Sequence, residues 1–237
     1  MSSEPLALIV TAASLGCFHT VLGPDHYLPF VVMARTGRWS LAKTTWVTVL
    51  CGLGHVGSSV LLGMVGIAFG IGLTRVEATE GFRGDVAAWA LIAFGLVYCI
   101  WGVRRAVRNR PHTHWHLHPD ATGHVHTHVH TGEHLHIHDA EAASNLTPWI
   151  LFTIFVLGPC EPLIPLLMYP AAQASLWGLA LVTMIFGGAT ILTMLSIVLI
   201  CSLGVARLPL GRLERYSHAF AGAAIFACGV AIESFGP

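Results

Sequence analysis

An apolar run near the start of the chain contains the segment His19-Thr20-Val21-Leu22-Gly23-Pro24-Asp25-His26. Gly and Pro interrupt a regular helix here, because Pro lacks the backbone N–H and clashes with the preceding turn. Irregular backbone at membrane depth is stable only where protein or a water-filled cavity surrounds it. The segment therefore predicts a broken membrane helix whose break lies in the interior of a helix bundle.

The composition of the whole chain agrees with a membrane location. Of the 237 residues, 54% are hydrophobic and 10% are charged, and the mean hydropathy is +0.70. A spanning helix needs roughly 20 apolar residues. Six such runs lie near residues 6–34, 44–73, 85–103, 149–172, 176–206 and 216–235. We therefore predict an all-α membrane protein with six transmembrane helices. The balance of 12 basic and 12 acidic residues gives no indication of nucleic-acid binding, so no nucleic-acid partner is expected.

The chain also contains an internal similarity. The first break, Leu22-Gly23-Pro24-Asp25-His26, aligns with a second, Leu157-Gly158-Pro159-Cys160-Glu161. Chance matching of apolar residues with Gly and Pro is the alternative explanation. If each half has three spans, the halves insert in opposite orientation, as in transporters with a midplane site. We expect two inverted three-helix repeats, residues 1–103 and 148–237, with spans one and four broken by Gly-Pro and a loop at 104–147.

The distribution of basic residues predicts the orientation. Ten of the 12 Lys and Arg follow spans one, three and five, and only Arg75 and Arg83 fall on the opposite side. Basic residues favour cytoplasmic loops. We therefore expect the protein in the cell (inner) membrane, with both termini outside and the loop at 104–147 in the cytoplasm. The N-terminus lacks the features of a cleaved signal peptide, so the first run is expected to be retained.

Ionisable side chains within the spans are the candidate metal ligands, because such residues are costly in lipid and tend to be functional. They are His19, Asp25 and His26 in span one, His55 in span two, and Cys160 and Glu161 at the second break. Imidazole and carboxylate ligands suit nickel, cobalt, zinc and iron(II). For the first three residues a proton site is the alternative. For His55 the alternative is a core histidine hydrogen-bonded to a carbonyl. For Cys160 the alternative is an inert buried thiol.

The loop between the halves is rich in histidine at alternating positions. Its histidines are His112, His114, His116, His118, His124, His126, His128, His130, His134, His136 and His138. Such tracts are typical of divalent-metal binding, although a low-complexity linker is the alternative. A loop without a preformed geometry is expected to bind several ions weakly. We therefore interpret it as a metal buffer or sensor.

The H-x5-D-H pattern from His19 to His26 resembles the signature of the NicO and UreH-like nickel/cobalt transporter families. The resemblance is close over span one, and six spans with a His-rich cytoplasmic loop fit it loosely over the chain. It implies that His19, Asp25 and His26 handle the transported metal. The segment Gly158-Pro159-Cys160-Glu161-Pro162 instead resembles the Pro-Cys motifs of CcdA/DsbD-type thiol-electron carriers. Those carriers look as if they need one reactive Cys in each half, and the matching position here is Asp25.

The sequence thus predicts a membrane permease, and not an enzyme, that moves a divalent transition metal, first of all Ni²⁺ or Co²⁺. No P-loop motif occurs, which favours the proton or ion gradient as the energy source. No prosthetic group is expected, and the partners would be metal ions, the lipid bilayer and a cytoplasmic metallochaperone. Transport direction and oligomeric state stay open. Two alternatives are a thiol-redox conduit using Cys160 and an exporter of a small anion bound at half-helix N-termini.

Overall fold

The computed structural model describes residues 3–108, 112–117, 123–128, 138–207 and 211–235. In that part of the chain the α-helices are Ser3–Leu22 (α1), Leu28–Thr36 (α2), Leu41–Ala68 (α3), Leu73–Arg108 (α4), His138–Leu157 (α5), Leu163–Ala172 (α6), Leu176–Ala206 (α7) and Ser217–Phe235 (α8). Short 3-10 turns cover Pro24–His26 and Gly211–Tyr216. Two strands, His112–Leu117 (β1) and Gly123–His128 (β2), pair antiparallel. Outside this strand pair the described residues are mostly helical, as the sequence predicts.

Several of these helices are long and apolar enough to cross a membrane. Among the described residues they are α3, α4, α7 and the segment Leu213–Ser234 that contains α8. A bent pair, Leu6–Leu22 with Pro24–Thr36, meets the same requirement as one unit with an 85° bend at the break. Two shorter apolar helices cover Thr147–Leu157 and Leu163–Ala172. The described structure therefore gives four spans, or five with the bent pair, where the sequence predicts six.

The two halves of the chain follow the same order of elements. Each has an apolar helix, a Gly-Pro break, a short helix and then two long helices. The short helices α2 and α6 are each followed by a residue other than glycine with positive φ, Arg38 at 48° and Ala174 at 52°. Ser40 and Ser175 then cap the next helix, because each side chain accepts a hydrogen bond from a backbone N–H of the first turn. The halves thus share local geometry beyond the aligned breaks.

Helix packing between the halves is reciprocal in its main contacts. α1 packs on α7, and its counterpart α5 packs on α3. α2 contacts both α7 and α8, while α6 contacts both α3 and α4. The most extensive contact joins α4 to α8. Each of these contacts thus has an equivalent in which the corresponding helices of the two halves are exchanged.

The α4–α8 contact depends on glycines spaced seven residues apart. Gly95 and Gly102 on α4 face α8, and Gly222 and Gly229 on α8 face α4. A Cβ added at Gly95 or Gly222 would meet the backbone of the opposite helix. Small residues let membrane helices approach until their backbones touch, which is where such helices gain van der Waals energy. This pair therefore forms a close-packed seam through the bundle.

The core consists of two apolar clusters, with large apolar side chains also exposed on the outside. One cluster contains Phe30 and Phe155, and the other contains Leu163 and Phe186. Trp177 is 87% exposed, as expected for a side chain that faces lipid or its headgroups.

The helix boundaries differ from the sequence prediction around the third span. α4 begins at Leu73, twelve residues before the expected start at 85, because part of its charged first section is paired inside the bundle, as described below. α4 then continues to Arg108, and α5 begins at His138. Both helices therefore extend into the segment 104–147 that the sequence assigns to a loop.

The strand pair contains part of the His-rich tract. Its register sets His112 opposite His128, His114 opposite His126 and His116 opposite His124. The spacing of two residues thus brings histidine positions together in pairs across the two strands. Four further histidines of the predicted set, His118, His130, His134 and His136, lie outside the described residues, and the last, His138, is the first residue of α5.

Candidate metal centre

The first Gly-Pro break turns the chain so that His26 enters the bundle. α1 ends at Leu22, and a 3-10 turn that begins with Pro24 carries Asp25 and His26. Pro is accommodated at the start of such a turn because its missing N–H would have no partner there. Gly23 is needed for space, since a Cβ at this position would lie 2.5 Å from His26 Nδ1. This conformation of the break therefore requires glycine at position 23.

Three imidazole rings meet at this break. His19 comes from α1, His26 from the 3-10 turn and His55 from the middle of α3. Their candidate ligand atoms all lie within 4.8 Å of one another. The ring centroids of His19 and His26 are 4.6 Å apart, and those of His26 and His55 are 4.8 Å apart. Within the described residues these three form the candidate metal cluster, and His26 and His55 are each only 2% exposed.

The outer nitrogens of two of these rings are fixed by oxygen acceptors. His26 Nδ1 donates to Asp25 Oδ1 at 3.2 Å and lies 3.2 Å from the carbonyl oxygen of Gly23. His55 Nδ1 donates to the carbonyl oxygen of Phe155 at 3.3 Å. Because carbonyl and carboxylate oxygens only accept, each Nδ1 must carry a proton. Such outer contacts set the tautomer and orientation of metal-binding histidines.

The inner nitrogens then face each other as acceptors. His26 Nε2 lies 3.2 Å from His55 Nε2, and in neutral rings both atoms carry lone pairs. Two lone pairs at this distance are stable only with a proton or a cation between them. Two ligands about 2.0–2.1 Å from a tetrahedral zinc ion are about 3.3 Å apart. The observed separation therefore suits two ligands of one metal ion.

The third ring adds an unpartnered nitrogen. His19 Nε2 is buried and has no hydrogen-bond partner among the described residues. A buried polar atom without a partner costs about 1–3 kcal/mol. Its ring stacks parallel to that of His55, with centroids 5.9 Å apart. A cation beside His26 and His55 would give this nitrogen the partner that it lacks.

Two phenylalanine rings flank the three imidazoles. The Phe155 ring centroid lies 6.3 Å from that of His26 and 6.1 Å from that of His55, and the Phe186 centroid lies 6.3 Å from that of His19. Phe155 and Phe186 belong to the two separate core clusters. The rings therefore lie between these clusters, where a low dielectric strengthens the attraction between a cation and its ligands.

A cavity of about 630 Å³ reaches two of the three rings from one end of the bundle. Its lining includes His19 and His26, both Gly-Pro breaks, and four carboxylate residues: Asp25, Asp85, Glu161 and Glu233. The described lining contains no Lys or Arg. A cavity with carboxylates and no basic residue attracts cations and repels anions. The two breaks thus share one polar cavity in the bundle interior.

The six residues predicted for the metal site fall into three groups. His19, His26 and His55 form the cluster. Asp25 is not a member of the cluster, but it contacts the outer nitrogen of His26 and orients that ring. Cys160 and Glu161 are not part of the cluster: Cys160 is fully buried with its N–H on another carboxylate, and Glu161 lines the cavity.

That other carboxylate belongs to Glu80, which is not among the site residues predicted from the sequence. Glu80 is fully buried in α4. Its Oε2 accepts from Ser59 Oγ and from the backbone N–H of Cys160, both at 3.2 Å. Its Oε1 accepts from Arg83 Nη1 at 2.6 Å. One carboxylate thus joins α3, α4 and the second Gly-Pro break.

Arg83 extends this network, which we call the Glu80–Arg83 clamp. Arg83 Nη2 donates to Ser58 Oγ at 2.7 Å and to the carbonyl oxygen of Val156 at 2.6 Å. The second break therefore contacts the clamp on both sides, through Val156 before it and Cys160 after it. The available sequence signal was the spacing of Glu80 and Arg83, because oppositely charged residues three apart lie on one face of a helix.

No family model, no curated protein and no solved structure matches the chain.

Proposed function

We propose that this protein is a membrane permease for a divalent transition-metal cation, with nickel and cobalt as the first candidates. The observation that carries the proposal is the pair of inward-facing Nε2 atoms of His26 and His55, 3.2 Å apart, whose Nδ1 atoms are both held by oxygen acceptors. Three imidazoles suit nickel, cobalt, zinc and iron(II) better than magnesium or calcium. In this proposal the cation is the transported substrate.

The cavity beside the rings supplies a route for that cation. Asp85, Glu161 and Glu233 would concentrate divalent cations and replace part of their hydration shell. Asp25 would hold His26 in the binding tautomer and add negative charge close to the ion. His19 would complete the ligation by moving toward the other two rings. The cation then passes from carboxylate oxygens to imidazole nitrogens.

The proposal includes an inverted repeat of two three-span halves. The common order of elements, the paired Ser caps and the reciprocal helix contacts support it. In this arrangement α5 with α6 is the counterpart of the bent pair α1 with α2 and supplies the sixth span. Transporters of this kind place the substrate where broken helices meet and alternate access around that point. Here the two breaks share the cavity next to the histidines.

Metal and protons would compete for the same nitrogens. Histidine must be neutral to bind a metal, so binding releases any proton shared by the imidazoles. A proton gradient can therefore drive the metal through such a site without ATP.

Flux measurements in proteoliposomes test the proposal. Purified protein should move Ni²⁺ or Co²⁺ across the bilayer, with Mg²⁺ and Ca²⁺ failing both to permeate and to compete. The Cys160→Ser protein should retain this flux, which separates metal transport from a thiol-redox conduit. No flux for any transition metal in a correctly inserted protein would reject the proposal. Thiol-electron transfer that Cys160→Ser abolishes would then favour the redox conduit.

We predict that the His-rich loop is dispensable for transport itself. Replacing residues 112–138 with a Gly/Ser linker of equal length should change the apparent metal affinity by less than about tenfold, or about 1.4 kcal/mol, with maximal flux unchanged. The reason is that the loop contributes no residue to the described cluster. Initial rates over a range of Ni²⁺ concentrations provide the measurement. Complete loss of flux in a correctly inserted protein would contradict the prediction.

We predict that both termini lie outside the cytoplasm. The asymmetry of ten basic residues against two underlies this orientation. A pair of reporters fused after residue 237, one active only in the cytoplasm and one only outside it, provides the measurement. Activity of the cytoplasmic reporter in a protein that still transports metal would reverse the orientation and place the His-rich loop outside.

A further inference from the structure

A second cavity, of about 530 Å³, lies at the other end of the bundle from the metal cavity. It opens between the end of α2, the end of α4 and the start of α8. Along α4 the two cavities are separated by the 17 residues from Ala88 to Arg105, or about 25 Å at the helical rise. The second cavity is therefore a separate feature, and no step of the proposed metal transport uses it.

Arginines dominate the lining of this cavity. Arg35, Arg38, Arg105 and Arg215 line it together with one carboxylate residue, Glu214. The nearest approach between Arg38 and Glu214 is 3.9 Å, with both side chains largely exposed, so this pair neutralises little charge. Four guanidinium groups against one carboxylate leave a strong positive potential in the cavity.

Two of these arginines are oriented by aromatic rings. The Arg105 guanidinium lies 5.2 Å from the Trp101 ring centroid, and that of Arg215 lies 4.6 Å from the Tyr216 centroid. Within the described residues neither has a carboxylate partner. A guanidinium that rests on a ring keeps the N–H groups of its edge free to donate. Arg105 and Arg215 are thus held in place with donors available for an anion.

Arg35 has a different role, which shapes the wall of the cavity. Its Nη1 donates to the carbonyl oxygens of Val205 and Ala206, at 2.9 and 2.8 Å. These carbonyls belong to the last turn of α7, where no intrahelical donor remains. Arg35 therefore fixes the end of α7 against α2 and leaves Arg38, Arg105 and Arg215 as the groups that would contact a ligand.

We propose that this cavity binds a phosphate group, carried either by the headgroup of an anionic phospholipid or by free phosphate. Arginine suits this ligand because its planar donors match phosphate oxygens in pairs. The position at the ends of α4 and α8, beside Trp101, matches the headgroup depth of a bilayer. The proposal stands independently of metal transport.

Native mass spectrometry of the full-length protein tests the lipid source. The protein would be released from nanodiscs of phosphatidylcholine with or without phosphatidylglycerol, and the retained lipid counted. We expect retained phosphatidylglycerol and no retained phosphatidylcholine. In the Arg105→Gln/Arg215→Gln protein retention should fall about tenfold, because two charge-assisted contacts are lost. The matched control is Arg104→Gln/Arg108→Gln, which removes the same charge from exposed positions outside the cavity.

A second arm tests free phosphate. Inorganic phosphate should raise the melting temperature of the protein in pure phosphatidylcholine nanodiscs if free phosphate is the source, relative to chloride at equal ionic strength. A positive result in either arm that the double variant loses and the control keeps supports the proposal and identifies the source. If the double variant does not fold, the Arg105→Gln protein replaces it. No specific retention and no stabilisation of the wild type, or equal losses in variant and control, would overturn the proposal.

Discussion

Replacing His26 with alanine is expected to abolish Ni²⁺ flux in proteoliposomes and to weaken metal binding by more than about 100-fold. Loss of a group that only orients a metal ligand already costs about 10–100-fold, and His26 is a candidate ligand itself. Its Nε2 lies 3.2 Å from that of His55, and its removal also leaves Asp25 without its imidazole partner. His55→Ala should have the same effect. Asp25→Asn should weaken binding less than either alanine variant, because Asp25 contacts the outer nitrogen only.

His218→Ala provides the matched control for these variants. His218 also lies in the bundle and hydrogen-bonds to another side chain, with its Nδ1 2.7 Å from Tyr98 Oη. It lines the arginine-rich cavity and not the metal cavity. The control should transport Ni²⁺ at the wild-type rate. Equal rates for His26→Ala and His218→Ala would show that the three rings do not hold the transported ion.

Replacing Arg83 with glutamine is expected to destabilise the folded protein by about 3–5 kcal/mol, the usual cost of leaving a buried charge without its partner. Glu80 has 1% of its side chain exposed and Arg83 has 17%, so water cannot replace the lost donors fully. The loss would also release the second break, since Arg83 holds the carbonyl oxygen of Val156. Thermal unfolding in detergent, followed by the loss of monodisperse protein on heating, measures the effect.

Two comparisons make this second prediction specific. Arg75→Gln removes an exposed basic residue from the same helix and should leave the melting temperature nearly unchanged. The double variant Glu80→Gln/Arg83→Gln should recover part of the loss, because it removes the unpaired charge as well as its partner. If Arg83→Gln unfolds at the same temperature as Arg75→Gln, the Glu80–Arg83 clamp does not stabilise the second break.

The helical membrane architecture could be predicted from hydropathy, but the extent of the helices could not. The charged residues between 75 and 85 resemble a loop between spans, because a hydropathy average treats each charged residue as unpaired. In the structure Glu80 and Arg83 neutralise each other inside the bundle, and α4 therefore begins at Leu73. The α4–α8 seam also could not be predicted from hydropathy. It depends on glycines whose role is defined only by the helix that packs against them.

The residues near the first break could be predicted more fully than their arrangement. Three ionisable residues around Gly23-Pro24 mark the break as polar, and His55 stands out as a histidine inside an apolar span. The sequence does not specify that Asp25 contacts the outer nitrogen of His26 instead of joining the cluster. That outcome depends on the 3-10 turn, which places Asp25 Oδ1 3.2 Å from the outer nitrogen of His26. The role of the Phe155 carbonyl depends on packing between α3 and α5 and has no local signal.

The most direct measurement is an anomalous-scattering map at the nickel absorption edge from crystals of the full-length protein grown with Ni²⁺. We expect a peak within bonding distance of imidazole nitrogens of His19, His26 and His55, with the His26–Asp25 and His55–Phe155 contacts retained. The His26→Ala protein, crystallised in the same way, should lose this peak. Nickel found only along residues 112–138, with the three rings unchanged by the metal, would show that His19, His26 and His55 do not form the metal site.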